Sequence, residues 1–127
     1  MGLFKRFRRG NRVDSEERSP QLGLKYRDLV VLNEIAKRAD LSRERHVVFY
    51  LYAPSPEVGE AMAEEARAGG YTAEVHEPLP EYPKDWCVCG ETRAVLSPDF
   101  VRRSVDFFEA LAQRHHATYD GWEAEAG

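Results

Sequence analysis

The residues with the most evident capacity for chemistry are Cys87 and Cys89, two thiols on one face of an extended segment, with His46 and His76 elsewhere in the chain. A zinc site can be drawn from these four. The spacing argues against it, because cysteine pairs that ligate zinc usually have two or more residues between them. Two small apolar thiols packed within a sheet is the plainer reading, so no metal and no cofactor is expected. His115-His116 stands near an expected helix end, where the helix dipole favours cations, but no positioned nucleophile, acid or base accompanies it. The chain contains no Gly-rich phosphate loop, Ser/His/Asp signature or HExxH motif. A binding protein is therefore expected rather than an enzyme.

Three patterns are suited to binding. Glu57, Glu60 and Glu64 recur at helical spacing, with Glu65 beside them, and make one acidic helix side that complements an arginine-rich, disordered partner. The plainer reading is an ordinary solvated helix face. Tyr50 and Tyr52 alternate on one face of a strand, as ring platforms for bases do. The third strand, however, offers Glu91 and Arg93 in place of paired aromatics, and an acidic domain repels phosphate. Direct nucleic-acid binding by the domain is therefore not expected. Finally, Tyr119-Asp120-Gly121-Trp122 sets two large aromatics around a turn-forming pair close to the end of the sequence. Chain ends are usually frayed and polar, so this one is tied down. Gly121 inside a strand marks a bulge, Asp120 is a turn residue, and Tyr119 or Trp122 anchors the strand. All of Tyr119, Asp120 and Trp122 are candidate partner contacts together with the three glutamates.

The elements that must position these residues follow from hydrophobic periodicity. The chain has 127 residues and fits one domain with one core. Leu29, Leu32, Ile35, Ala36 and Ala39 recur at three and four residues and predict an amphipathic helix over about 24–39. HVVFYLYA, residues 46–53, is β-branched and aromatic on both faces and predicts a central strand. Ser55-Pro56-Glu57 and Ser97-Pro98-Asp99 are matching helix starts: a Ser cap, a Pro at the first helical position, and an acid at the positive helix end. Gly69-Gly70 closes the first of these helices. Residues 71–76 alternate, EPLPEYPKD is a proline-rich loop, Trp86–Val95 is a strand, and Ala117–Ala124 is a last strand. The order is βαββαβ behind an extra helix. The fold class is thus α+β, a ferredoxin-like sandwich of four antiparallel strands with two helices on one face and an extra N-terminal helix. Right-handed crossovers put the first and third strands in the middle, with the last strand at an edge beside the first. The extra helix is expected to cover the Tyr50 and Tyr52 face with Leu29, Leu32 and Ile35.

Charge divides the chain. Residues 1–12 hold five basic groups and no acid, whereas residues 46–127 hold 15 acids against 6 basic groups. The organisation expected is a basic flexible arm over 1–21, a helix and loop over 22–45, and the α+β domain over 46–127. No apolar run is long enough to span a bilayer, and no apolar signal segment follows MGLFKRFRRG, so a cytoplasmic location is expected. Leu3, Phe4 and Phe7 would share a helix side opposite the basic groups, which gives the arm a possible weak contact with RNA or anionic lipid. The myristoylation pattern fails at Arg6.

VVFYLYAPSPEVGEAMAEEARAGGY, a strand opening with Trp86, a helix carrying FFEALA and the closing YDGW together resemble the ribonuclease E inhibitor family, the regulators of ribonuclease E activity B. The resemblance covers residues 46–124 and leaves out the basic arm. It implies a ferredoxin-like α+β sandwich, a bacterial cytoplasmic home, no catalytic activity, and a role in RNA metabolism as a regulator that binds the scaffold half of ribonuclease E. The function expected is non-enzymatic: a ribonuclease or its scaffold region bound through an acidic surface, with RNA decay modulated as a result. The alternative is an adaptor at RNA or membrane surfaces that works through the basic arm.

Overall fold

The computed structural model describes residues 17–125. Residues 1–16 of the basic flexible arm expected over 1–21 lie outside them, whereas residues 17–21 are described and are held against the domain by Arg18 and the buried Ser19. Seven elements follow in order: α1 (Tyr26–Ala36), β1 (Arg45–Ala53), α2 (Pro56–Ala68), β2 (Thr72–His76), β3 (Trp86–Ala94), α3 (Pro98–Arg114) and β4 (Thr118–Ala124). The architecture is α+β, with a four-stranded antiparallel sheet in the order β2-β3-β1-β4. The first and third strands lie in the middle and β4 at the edge beside β1.

Local chemistry sets the helix ends. The Ser55 hydroxyl accepts a hydrogen bond from the Val58 amide at 3.2 Å, and the Ser97 hydroxyl accepts one from Phe100 at 3.0 Å. Each satisfies an amide that the first helical turn leaves without a partner. Pro56 and Pro98 occupy the first turn, where a missing N–H costs nothing. At the far end of α2, Gly70 takes a φ of +101° and Tyr71 donates back to the Ala66 carbonyl at 3.1 Å. Only glycine adopts that φ without strain, so the chain turns sharply from α2 into β2.

The core lies between the sheet and the helices. Val47, Phe49, Leu51 and Ala53 of β1 are buried, and the Phe49 ring stacks on Phe108 of α3 at 4.7 Å between centroids. Tyr71 meets the same Phe108 edge-on at 4.7 Å and shares a hydrogen bond with the Ser104 hydroxyl at 2.7 Å. Gly90, opposite Phe49 in the ladder, makes this stack possible: a Cβ there would stand 2.6 Å from the Phe108 ring.

The position of α1 corrects the sequence reading. Instead of covering Tyr50 and Tyr52, α1 lies on the same side of the sheet as α3. Lys25, which precedes the helix, and Arg27 in its first turn both pair with Glu109 of α3, at 2.5 and 2.7 Å. Arg18 pairs with Asp106 one turn away at 2.8 Å. Asp28 accepts a hydrogen bond from the Trp122 indole at 3.1 Å. Leu24, Val31, Leu32 and Ile35 join the core that contains Phe49 and Phe108. The sequence pattern identified the apolar stripe, but the charged residues at the head of the helix choose the surface it meets. Packing begins ahead of the helix, where Arg18 bridges to Lys25 and Ser19 is buried.

Candidate functional site

The ladder register divides the aromatic residues of the sheet into two sets. Phe49 pairs with Gly90 and Trp122, which fixes the helix-covered face. Side chains alternate along a strand, so His46, Val48, Tyr50 and Tyr52 point the other way. Cross-strand partners share a face. Tyr50 therefore stands beside Cys89 and Gly121, Tyr52 beside Cys87 and Thr118, and Val48 between Glu91 and Glu123. From β2, Glu74 lies opposite Cys89 and His76 opposite Cys87. Among the described residues, no helix packs on this second face.

It is a polar and mainly acidic surface. The Tyr50 hydroxyl donates to Glu123 at 3.0 Å, and His46 lies 2.6 Å from Glu91. His76 and Glu74 approach to 3.5 Å. Arg93, paired with Glu125 at 3.8 Å, is an exposed cation opposite His46. Near the β2–β3 loop the face deepens into a cavity of about 490 Å³, within the range of about 300–1,000 Å³ common for ligand sites. Its floor is Tyr52, Cys87 and Asp120; its wall is the loop residues Leu79, Tyr82 and Asp85. His76 and Glu77 close the end where β2 runs into the loop. The loop is shaped by two successive turns, with Tyr82 donating to the Leu79 carbonyl at 2.9 Å and Asp85 to the Tyr82 carbonyl at 3.0 Å.

The bulge in β4 supplies Asp120 to this cavity. Tyr50 pairs with Gly121 and Leu51 with Tyr119, so Asp120 is the extra residue, and Gly121 takes a φ of +108°. One extra residue resets the in-out alternation. Tyr119 and Trp122, three apart, would face opposite sides of a regular strand. With the bulge both turn inward, 7% and 2% exposed. As partner contacts they are corrected: both rings are core, and Asp120 is the member of the YDGW stretch that lines the open face.

Glu57, Glu60 and Glu64 are exposed on α2, and Glu60 lies 3.7 Å from Arg67. Gly59 of α2 faces Val75 and Val88 on the helix-covered side, so these glutamates and Asp120 are on opposite sides of the sheet. The predicted site is two surfaces. Glu65 faces α3: Arg114 and His115 both reach it at 2.6 Å, and the hydrogen bond from Arg114, then that from His115, holds its carboxyl below the usual range.

The Cys87 and Cys89 sulfurs are 3.7 Å apart. Among the described residues no group of three or more His, Cys, Asp or Glu is arranged to hold a metal ion, and no helix is long and apolar enough to cross a membrane. Sequence reasoning did not single out Leu79, Tyr82 and Asp85. The signal was present in EPLPEYPKD, where two large apolar side chains stand in a loop otherwise built of prolines and charges.

A family model described as regulator of ribonuclease activity B matches residues 28–124, about three quarters of the chain. The match begins inside α1, so the shared domain includes most of the helix that the resemblance over 46–124 left out. Comparison with curated proteins found no match.

Proposed function

The chain belongs to the regulator of ribonuclease activity B family, and on that premise we propose that it is a non-enzymatic binding protein that restrains a ribonuclease by holding a basic segment of it. The partner proposed is an enzyme of the ribonuclease E type, gripped in its non-catalytic scaffold region. We read the sheet order with its two crossover helices as the ferredoxin-like arrangement, extended by α1. One observation carries the binding mode. The helix-free face gathers Glu74, Glu91, Asp120 and Glu123 from β2, β3 and β4 around the tyrosines of β1, with Arg93 beside them. A surface of that sign attracts arginine and lysine and repels a phosphate backbone.

The test is a binding isotherm between the full-length protein and the host ribonuclease's non-catalytic region at two salt concentrations. Saturable binding that weakens at the higher salt is expected. Two charge reversals decide which surface acts. Loss on Glu74→Lys plus Glu91→Lys assigns capture to the sheet face. Loss on Glu60→Lys plus Glu64→Lys moves it to α2. Deleting residues 2–12 should leave binding intact; loss there would favour an adaptor that uses the basic arm. No binding at either salt ends the ribonuclease reading.

A further inference from the structure

We propose that the basic segment at the start of the chain, residues 3–12, binds the acidic sheet face of its own molecule and competes there with the basic segment of a partner. The inference rests on the reading of that face as a captor of basic segments, and it adds the occupant that a partner must displace.

Three observations converge on this occupant. First, the charges are complementary. Residues 1–12 hold five basic groups and no acid, whereas Glu74, Glu91, Glu123 and Glu125 stand along the face with Arg93 among them. These carboxylates keep their contacts with His76, His46, Tyr50 and Arg93. Attraction does not require a vacant one, because exposed ion pairs hold weakly and the summed field of a charged face acts beyond its contacts. Second, the chain enters at the right edge. The Glu17 carbonyl accepts a hydrogen bond from the Tyr26 amide at 3.1 Å. Asp28, two residues further on, holds the indole of Trp122 on β4, the strand at the sheet edge. Arg12 precedes Glu17 by five positions and Lys5 by twelve, spans of at most about 18 and 43 Å. Four strands at about 4.8 Å spacing measure only about 14 Å across, so the segment is long enough to round the β4 edge and cross to β2. Third, the order of residues agrees. Read away from Glu17, the segment presents its arginines first and Phe4 and Leu3 last. Read away from β4, the face presents carboxylates on β4, β3 and β2 and then the β2–β3 loop. There Leu79 and Tyr82 are 64% and 62% exposed, the two most exposed large hydrophobic residues among those described. An RNA held by the same segment would instead bring phosphates up to the acidic face, which repels them. A covalent tether sets a local concentration on the order of millimolar, so a segment that binds weakly as a free peptide still occupies the face.

The test compares amide NMR spectra of the full-length protein and of a chain lacking residues 2–12, at low salt and at about 0.5 M salt, where charge attraction is screened within a few ångströms. Shifts should differ at Glu74, Glu91 and Glu123 at every protein concentration, and the differences should collapse at high salt. A synthetic peptide of residues 1–12, added to the shortened chain, should restore the same shifts. Arg8→Glu plus Arg9→Glu, which leaves the sheet's own residues unaltered, should remove them. A separate basic probe, acetyl-Arg-Gly-Arg-Gly-Arg amide, should bind the shortened chain about three- to tenfold more tightly than the full-length chain, the gain from taking away a tethered competitor. Binding thus survives the deletion and rises. Shift differences confined to residues 17–26 overturn the proposal, and so does equal affinity of the two chains for the probe. Differences that appear only at high protein concentration also overturn it, because they put the segment on a second copy. The ribonuclease reading fails separately. Salt-sensitive shifts at the face, with no binding of the ribonuclease region by either chain, keep the intramolecular contact and remove the partner. Equal binding of that region by both chains, with unchanged shifts, keeps the partner and removes the contact.

Discussion

Strand β1 builds two unlike faces from one run of aromatics. Inward, Phe49 is 1% exposed, stacked at 4.7 Å on Phe108 and flanked by Trp122 at 6.5 Å. Outward, Tyr50 and Tyr52 stay partly exposed, and the Tyr50 hydroxyl is tied to a carboxylate. The difference teaches what each face is for. Rings closed off from water stabilise through burial and packing. Rings that keep hydroxyls and acids around them contribute less to stability and remain able to meet a partner.

Truncation tests this division most forcefully. Phe49→Ala should lose about 3–5 kcal/mol, the usual range for emptying an aromatic core position, read from denaturant unfolding at constant slope. A loss of the same size from Tyr52→Ala would break the comparison, because it would make the outer face a second core. Next in size is Gly90→Ala. Its new Cβ would collide with the Phe108 ring, so about 1–3 kcal/mol should be lost. Phe108→Leu in that background should recover part of the loss, a coupling that a double-mutant cycle measures.

Tyr50→Phe is smaller. It removes a partly exposed hydrogen bond to Glu123 and should cost about 1 kcal/mol, read as a fall of a few degrees in the melting temperature. The finest test concerns Asp28, a carboxylate taken in on the closed side. Burial, only partly offset by the Trp122 indole and by Arg27, pushes its pKa above the usual carboxylate range. A folded-state pKa above the unfolded one means that the protonated form is favoured by folding. That contribution is full below the unfolded pKa and is lost as the pH rises through the folded one. The stability of Asp28→Asn relative to the parent chain should therefore rise across that interval and level off above it. A flat difference would show that the carboxylate is solvated in the folded protein.

The sequence made the strands, the two Ser-Pro helix starts and the bulge readable, because each rests on chemistry within a few residues. Ser55 and Ser97 cap their own helices, and Gly121 bends its own strand. What it did not disclose depends on residues far apart. The seat of α1 is decided by Lys25 and Arg27 finding Glu109 more than eighty positions away, and periodicity reports the width of an apolar stripe but not the surface it meets. The candidate site suffered in the same way. Glutamates on a helix are visible as a run, whereas the acidic sheet face is assembled from carboxylates scattered over β2, β3 and β4 and acquires its sign only in register. Tyr82 and Asp85 enter the cavity because a loop folds back over β3, and loop direction leaves little trace in residue type.

The bulge also bears on how the chain can change in length. Strand alternation counts in twos, and the three-residue step from Tyr119 to Trp122 is legal only because Asp120 is an added beat. Deleting Asp120 would leave a two-residue step, which a regular strand places on one face, so both rings would stay inward while the bulge and its carboxylate on the open face would be lost. The proline-rich segment across the cavity carries no such parity, so it is where the protein has room to lengthen or shorten and thereby retune what it grips.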